Sequence, residues 1–213
     1  MQDDIKHTRN NYDRNVLLEG DVAGDPFDQF SAWLEGARVN DIRDYNAFTL
    51  STVSESGFPD ARIVLLRGAD KSGLTFFTNY NSAKGREIHA SEKVCMNFFW
   101  NTLERQIRIL GIASQVSAEE SDVYFNSRPR DSRIAAWASS QSSELRTRDD
   151  LDAAVLKYTA QFEEKEVPRP PHWGGYRIVP HYFEFWQGRP NRLHDRLVYE
   201  LQADKWSLKR LAP

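Results

Sequence analysis

AFTLSTVSESGFPDARIVLLRGADKSGLTFFTN, residues 47–79, decides the fold class. Three runs rich in β-branched and aromatic residues stand in it: AFTLSTVS (47–54), ARIVLLR (61–67) and LTFFTN (74–79). Glu55-Ser56-Gly57 and Asp70-Lys71-Ser72-Gly73 separate them, and both are turn sequences. Working outward, Ser82 to Ala90 reads as a short helix, and KVCMNFFW (93–100) and RQIRILGIASQV (105–116) as two more strands. Five strands on short turns predict an antiparallel meander, closed as a barrel or packed as a sandwich. At the far end YRIVP, YFEFW, LVYEL and WSLKRLAP read as further strands of the same sheet, since too few residues remain for a second core.

The helices lie around this pattern. Asp25-Pro26 opens one through Phe27, Phe30, Trp33 and Leu34. Ser117, with Glu120 three residues on, starts another that runs to about Ser127. Pro129 suits the first turn of the next, through Ile134 and Trp137. Thr147 with Asp149 and Asp150 caps a longer helix with Leu151, Val155, Tyr158 and Phe162 on one face. Residues 1–25 are polar and contain Gly20 and Gly24, which predicts a mobile arm, followed by a single domain over 26–213.

Composition excludes several classes. A chain of 213 residues has room for one domain, with 28 basic against 31 acidic residues and a net charge of −3. A nucleic-acid binder would carry a basic excess, so none is expected as partner. Of the basic residues 20 are Arg and 8 are Lys. An Arg-rich but slightly acidic chain suggests local anion sites, and a GC-rich genome would give the same bias. Cys95 is the only cysteine, which excludes an intrachain disulfide, and the five histidines have no metal-ligand spacing, so no metal is expected. No stretch approaches the roughly 20 apolar residues needed to cross a bilayer, and the N-terminus does not read as a signal peptide. The cytoplasm is the expected location.

Four clusters could carry chemistry. Arg62 and Arg67 bracket the apolar IVLL, five positions apart, so alternation puts them on opposite faces; a pair of solvated edge residues is the plain alternative. Thr78 to Lys84 is a polar strand-to-helix turn of the kind that holds phosphate, or an ordinary loop. Tyr124, Arg128 and Ser132 donate hydrogen bonds suited to phosphate, or form a capped helix junction. Arg192, His194 and Arg196 alternate beside Trp186, so an extended segment would point all three one way. Three basic groups on one face repel unless an anion sits among them or Glu184 and Asp195 compensate. Together the clusters point to phosphorylated, planar ligands without identifying a reaction.

RIVLLR, FFTN, NTLERQ, YFNSRPRDS, QSS at 141–143, WGGYR, EFWQG, NRLHDR and the terminal RLAP resemble the pyridoxamine 5′-phosphate oxidase family, from about Arg9 to Pro213. The resemblance implies an FMN-binding split β-barrel, mainly β with flanking helices, and a homodimer with FMN at the subunit interface. It implies cofactor contacts at Arg62, Ile63, Val64, Leu65, Leu66, Arg67, Phe77, Thr78, Lys84, Gln106, Gln141, Ser142, Trp186 and Arg196. Substrate phosphate falls to Arg67, Tyr124, Arg128 and Ser132. Arg192 and His194 stand beside the pyridine ring and the reactive carbon as the catalytic pair, and Arg9 and Tyr12 belong to an arm over the site. The implied reaction oxidises pyridoxine or pyridoxamine 5′-phosphate to pyridoxal 5′-phosphate, with dioxygen as acceptor and hydrogen peroxide as product.

Three positions depart from the family pattern. Arg67 stands where Lys is common, Phe77 where some members have Tyr, and Ala83 where an Arg often helps hold the FMN phosphate. Ala83 therefore predicts weaker flavin retention. Asp44, before the first strand, is a lesser candidate for a polar role. Two rivals share the fold: a flavin oxidase of phenazine biosynthesis, which need not keep the phosphate grip, and a non-catalytic protein that stores or senses flavin or pyridoxal phosphate.

Overall fold

The computed structural model describes residues 6–7 and 11–213. The run at 47–79 forms β1 (Ala47–Val53), β2 (Pro59–Leu65), β3 (Gly68–Asp70) and β4 (Gly73–Asn79). In β1, Phe48, Leu50 and Thr52 are buried and their neighbours are not, the period of two expected of a strand with one covered face. Gly57 turns the chain between β1 and β2 at a φ of 83°, in the left-handed region that favours glycine. β5 (Lys93–Trp100), β6 (Arg105–Gln115), β7 (Trp173–Gln187), β8 (Asp195–Gln202) and β9 (Lys205–Arg210) complete the sheet.

The order is β2-β1-β5-β6-β7-β4-β3, with β8 on β7 and β9 on β8. The expected meander is thus interrupted. β3 and β4 leave β2 and pair antiparallel with each other, and β4 lies along β7 beyond β6. β4 buries residues on both its faces, and β7 meets it with Gly174 and Gly175 opposite Thr78 and Phe77. A second difference concerns Pro180. YRIVP and YFEFW read as two strands, because proline removes a ladder donor. They form one. β4 pairs with residues 173–178 of β7 and β8 with 182–187, so Pro180 falls between the two ladders.

The chain divides into two compact units: residues 1–49, 95–110 and 180–213, and residues 50–94 and 111–179. β1, β5, β6 and β7 run through both. In the first unit α1 (Pro26–Val39) starts at Asp25, whose side chain accepts from the Phe27 N–H. It lays Phe27, Phe30 and Trp33 against Phe183, Phe98 and Phe185, with ring centroids 5.2–5.4 Å apart. Part of the expected arm is also tied down here. The Leu17 N–H donates to Asp195 at 3.1 Å, the Leu17 carbonyl accepts from Arg210 at 2.8 Å, and the Tyr199 hydroxyl donates to the Ala23 carbonyl.

The second unit carries α2 (Ala83–Ala90), α3 (Ala118–Ser127), α4 (Arg130–Ala138) and α5 (Arg148–Gln161). Ser117 caps α3, and Thr147 with Asp150 forms a full capping box on α5. Pro129 is the N-cap of α4 rather than a member of its first turn. Val155, Tyr158 and Phe162 pack with Ile134, Trp137 and Val167. Among the described residues no helix is long and apolar enough to cross a membrane.

Candidate active site

The second unit holds a cavity of about 450 Å³ whose polar walls come from two groups of residues. The first group is Arg67, Tyr124 and Arg128. Arg128 caps the C-terminus of α3, its N–H on the Phe125 carbonyl at 3.1 Å, and Pro129 after it keeps its backbone extended. Its guanidinium carbon lies 4.6 Å from the centre of the Trp173 ring and 5.6 Å from that of Phe125. Its Nη1 is buried and has no hydrogen-bond partner. Burial pushes the Arg128 pKa down, and the nearby Arg67 adds to this. A half-buried cation with a buried nitrogen in this state lacks the partner that such groups ordinarily have, and an anion would supply it.

Arg67 stands just past β2, its N–H on the Thr75 carbonyl at 2.8 Å and its guanidinium carbon 5.9 Å from the Tyr124 ring. Phe77, in place of Tyr, stacks on Tyr124 at 3.9 Å with 18° between planes, and Trp173 lies nearly parallel to both. Of the glycines of WGGYR, Gly175 makes room for this stack and Gly174 for Tyr80. A Cβ at Gly175 would stand 2.8 Å from the Phe77 ring, and one at Gly174 would stand 2.0 Å from the Tyr80 hydroxyl.

The second group is Thr78, Lys84 and Gln141. Lys84, in the first turn of α2, donates to Gln141 Oε1 at 3.0 Å and approaches Thr78 Oγ1 at 3.5 Å. The Thr78 hydroxyl donates to the same Gln141 oxygen at 3.1 Å. Burial pushes the Lys84 pKa down, helped by Arg62. Its hydrogen-bond partners are neutral oxygens, while the nearby Glu87 and Asp60 carboxylates act on its charge without bonding it and partly offset the shift. Ile63, Val64 and Leu65 form an apolar wall.

Other expected contacts lie elsewhere. Arg62 does not line the cavity; it binds Glu87 at 2.9 Å, Asp60 at 2.5 Å and the Thr52 hydroxyl. Leu66 is buried outside the lining. Ser132 is half-buried in the first turn of α4, whereas Ala135, Ala136 and Ser139 are the residues at that end of the helix and just past it that line the cavity. Ser142 is exposed, with a φ of 68°.

The first unit holds the remaining candidates. Trp186 packs on His194 at 4.7 Å, and Tyr12 contacts both rings edge-on at 5.8 and 5.7 Å. The Arg189 N–H donates to His194 Nδ1 at 3.1 Å, which leaves a neutral ring with its proton on Nε2. Burial and the Arg192 charge both push the His194 pKa down. The extended segment expected to point Arg192, His194 and Arg196 one way is not formed. Pro190–Arg192 is a 3₁₀ turn, Asn191 and Arg192 have φ values of 57° and 62°, and β8 begins only at Asp195. Arg196 bonds Glu184 at 2.7 Å, and Glu184 also accepts from Arg108 and, at 2.9 Å, from Tyr182. These partners hold the buried Glu184 carboxyl down at about 2. Gln106 is half-buried on β6, Asp44 is exposed, and Arg9 lies outside the described residues.

Trp173 and Glu184 were not among the expected site residues. Trp173 stood in WGGYR with no chemistry to mark it, and Glu184 only as a possible compensating charge. Nothing in the sequence places Trp173 beside an arginine 45 positions away, whereas Glu184 meets Arg196, 12 positions on, as the compensating charge the sequence offered.

The fold and the cavity define a split β-barrel protein with a cationic pocket. The chain is similar to the crystal structure of PhzG from Burkholderia lata 383 in complex with tetrahydrophenazine-1-carboxylic acid. The TM-score is 0.87 and the identity 32%, over 93% of this chain and 98% of that one. A pyridoxamine 5′-phosphate oxidase-related, FMN-binding protein from Nostoc punctiforme shares the fold at a TM-score of 0.70 and 15% identity, over 90% of this chain and all of that one.

The chain belongs to the pyridoxamine 5′-phosphate oxidase family. The model described as pyridoxamine 5′-phosphate oxidase matches residues 35–162, and that of the pyridoxine 5′-phosphate oxidase C-terminal dimerisation region matches 173–213. The pyridoxine/pyridoxamine 5′-phosphate oxidase of Bordetella avium is 51% identical over 98% of this chain and 99% of its own length. That of Thermosynechococcus vestitus is 52% identical over the same shares.

Proposed function

We propose that the protein is a cytoplasmic, homodimeric oxidase that converts pyridoxine or pyridoxamine 5′-phosphate to pyridoxal 5′-phosphate, with FMN at the subunit interface. Because four strands run through both units, residues 26–213 are taken as one domain. The alcohol reacts with dioxygen to give the aldehyde and hydrogen peroxide; the amine also consumes water and releases ammonia. The observation that carries this is the buried, unpartnered Arg128 Nη1 beside Arg67 in the lined cavity. Together with ~50% identity to the oxidases above, it points to a phosphorylated substrate.

The donor set also fits FMN: an ammonium on Lys84, a hydroxyl on Thr78 and an amide on Gln141 suit a phosphate and its ribityl chain, and Ile63 to Leu65 suit a flat apolar ring. FMN when bound supplies a two-electron acceptor that dioxygen regenerates. Arg67, Tyr124 and Arg128 hold the substrate phosphate and so fix the ring, joined by Ser132, which the family resemblance assigns although it stands off the lining, and such positioning is worth several kcal/mol of barrier. Arg192 covers the ring. His194 donates from Nε2 to the substituent on the reacting carbon, because the Arg189 N–H already occupies Nδ1. Tyr12, Gln106, Ser142, Trp186 and Arg196 are the further contacts that the family resemblance assigns.

A second reading follows from the likeness to PhzG: oxidation of a tetrahydrophenazine carboxylate. One assay separates the two. The purified protein is tested for a bound-flavin spectrum, then given pyridoxine 5′-phosphate or tetrahydrophenazine-1-carboxylate in air. Pyridoxal 5′-phosphate and peroxide are the expected products; their absence with the first substrate overturns the proposal.

A further inference from the structure

We infer that Trp173 is a positioning residue whose ring face holds Arg128 ready for the substrate phosphate, an inference that rests on the reading of this cavity as the phosphate site. A buried arginine is ordinarily held by a carboxylate, which fixes the guanidinium and cancels its charge together. For a cation that must receive an anion, the second effect is harmful. Among the described residues no carboxylate bonds Arg128, and its charged neighbour is another cation, Arg67. What meets its guanidinium is the Trp173 face at 4.6 Å and the Phe125 ring at 5.6 Å. A π face attracts the cation and sets its plane but accepts none of its in-plane N–H groups. Nη1 is correspondingly without a partner.

Arg105 shows the same device with the opposite outcome. It lies 4.5 Å over Trp33, but its Nε–H is spent on Gln187 at 2.9 Å. Trp173 is itself fixed. It is 6% exposed, its N–H donates to the Pro170 carbonyl at 3.0 Å, and its carbonyl accepts from Arg169 at 2.8 Å. Tyr124 and Phe77 lie parallel to its ring. The ring therefore cannot swing away and release Arg128.

The test compares pyridoxal 5′-phosphate with pyridoxal, binding to the FMN-loaded protein by titration calorimetry, in wild type, Trp173→Leu and Trp173→Phe. Trp173→Leu should weaken binding of the phosphorylated compound about 3–30-fold, the range of a desolvated cation–π contact. Pyridoxal and FMN should bind as before. In turnover kcat/KM for pyridoxine 5′-phosphate should fall by at least the same factor, and Trp173→Phe should recover part of the loss. If leucine unfolds the protein, Trp173→Phe alone decides: weaker binding of the phosphorylated compound only supports the role. Unchanged binding of pyridoxal 5′-phosphate, or an equal loss for pyridoxal, overturns it. If wild type fails to prefer the phosphorylated compound, the reading of the cavity falls and this inference with it.

Discussion

In the second unit Arg67 and Arg128 share a cavity without a carboxylate, and one guanidinium nitrogen has no partner at all. In the first unit Glu184 takes both Arg108 and Arg196, and Asp195 takes Arg210 at 2.7 Å and Arg189 at 3.6 Å. Both clusters are rich in arginine, but only in the one of the second unit do the arginines stand without a carboxylate partner. The difference separates two uses of the residue. Where a carboxylate is built in, the arginine is a strut or an oriented hydrogen-bond donor. Where rings replace the carboxylate, the arginine keeps a guanidinium nitrogen without a partner, which an anion could take.

The substitution that strains this contrast most is Arg128→Met. Removing one partner of a buried charge pair costs about 2–5 kcal/mol, so the KM for pyridoxine 5′-phosphate should rise about 30-fold or more. Stability should move the other way, because the variant no longer buries an unpaired cation: an increase in Tm is expected, read by thermal melting without substrate. A fall in both affinity and Tm would show that Arg128 is a strut after all.

Glu184→Gln tests the opposite cluster. It leaves Arg108 and Arg196 without their shared charge, and since both are partly solvated the cost should be about 1–2 kcal/mol in urea unfolding at pH 7. The sign of the pH dependence follows from the depressed pKa. A carboxyl at 4.5 unfolded and about 2 folded contributes stability that is fully present above pH 4.5 and is lost as the pH falls toward 2. The gap between wild type and variant should therefore close between those values. A gap that persists at pH 2 would mean the charge was not what mattered.

The His194 effect is smaller. Its folded pKa is depressed, so the unfolded chain binds the proton more readily, and this contribution to stability is lost as the pH falls below the ordinary 6.5. The acid limb of kcat/KM should lie below that value. Arg192→Gln should move the limb and the imidazole titration, followed by NMR, toward 6.5, because it removes one of the two causes of the depression. An unmoved titration would leave burial as the sole cause.

How far each cluster was legible in the sequence follows from the range of the contacts that build it. Local signals were dependable. Asp25 before Pro26, Ser117 before Glu120, and Thr147 before Asp150 fix three helix starts through bonds two or three residues long. β1 alternates and β4 runs apolar as their burial requires, while the apolar run of β2 stays exposed or half-buried. The path of β4 to β7 was not legible, because nothing between residues 65 and 79 distinguishes a partner 15 residues away from one 95 residues away. Pro180 misled for a related reason: its cost depends on which neighbour each end of β7 pairs with. At the site, Tyr124 and Arg128 could be read together because α3 brings them together. The alternation of Arg192, His194 and Arg196 failed because Asn191 and Arg192 adopt positive φ, which a sequence pattern does not encode for residues other than glycine.

The smallest expected effect concerns Ala83, where a cation common in the family is missing. Ala83 opens α2 immediately before Lys84, but it lines a separate cavity of about 330 Å³ with Ser54, Glu55, Ser56, Arg86 and Glu87. Ala83→Arg would add a second cation beside the lone Lys84 ammonium, which should lower the FMN dissociation constant. Glu55 and Glu87 face the same space and would compete for the new guanidinium, so the gain should stay within the range of a partly solvated ion pair, about 2–5-fold. Quenching of FMN fluorescence on titration with apoprotein measures it. An unchanged constant would mean that Ala83 does not weaken flavin retention. Ala83→Arg combined with Glu55→Gln should then distinguish a guanidinium captured by Glu55 from one that never reaches the phosphate, since only the first gains affinity when the carboxylate is removed.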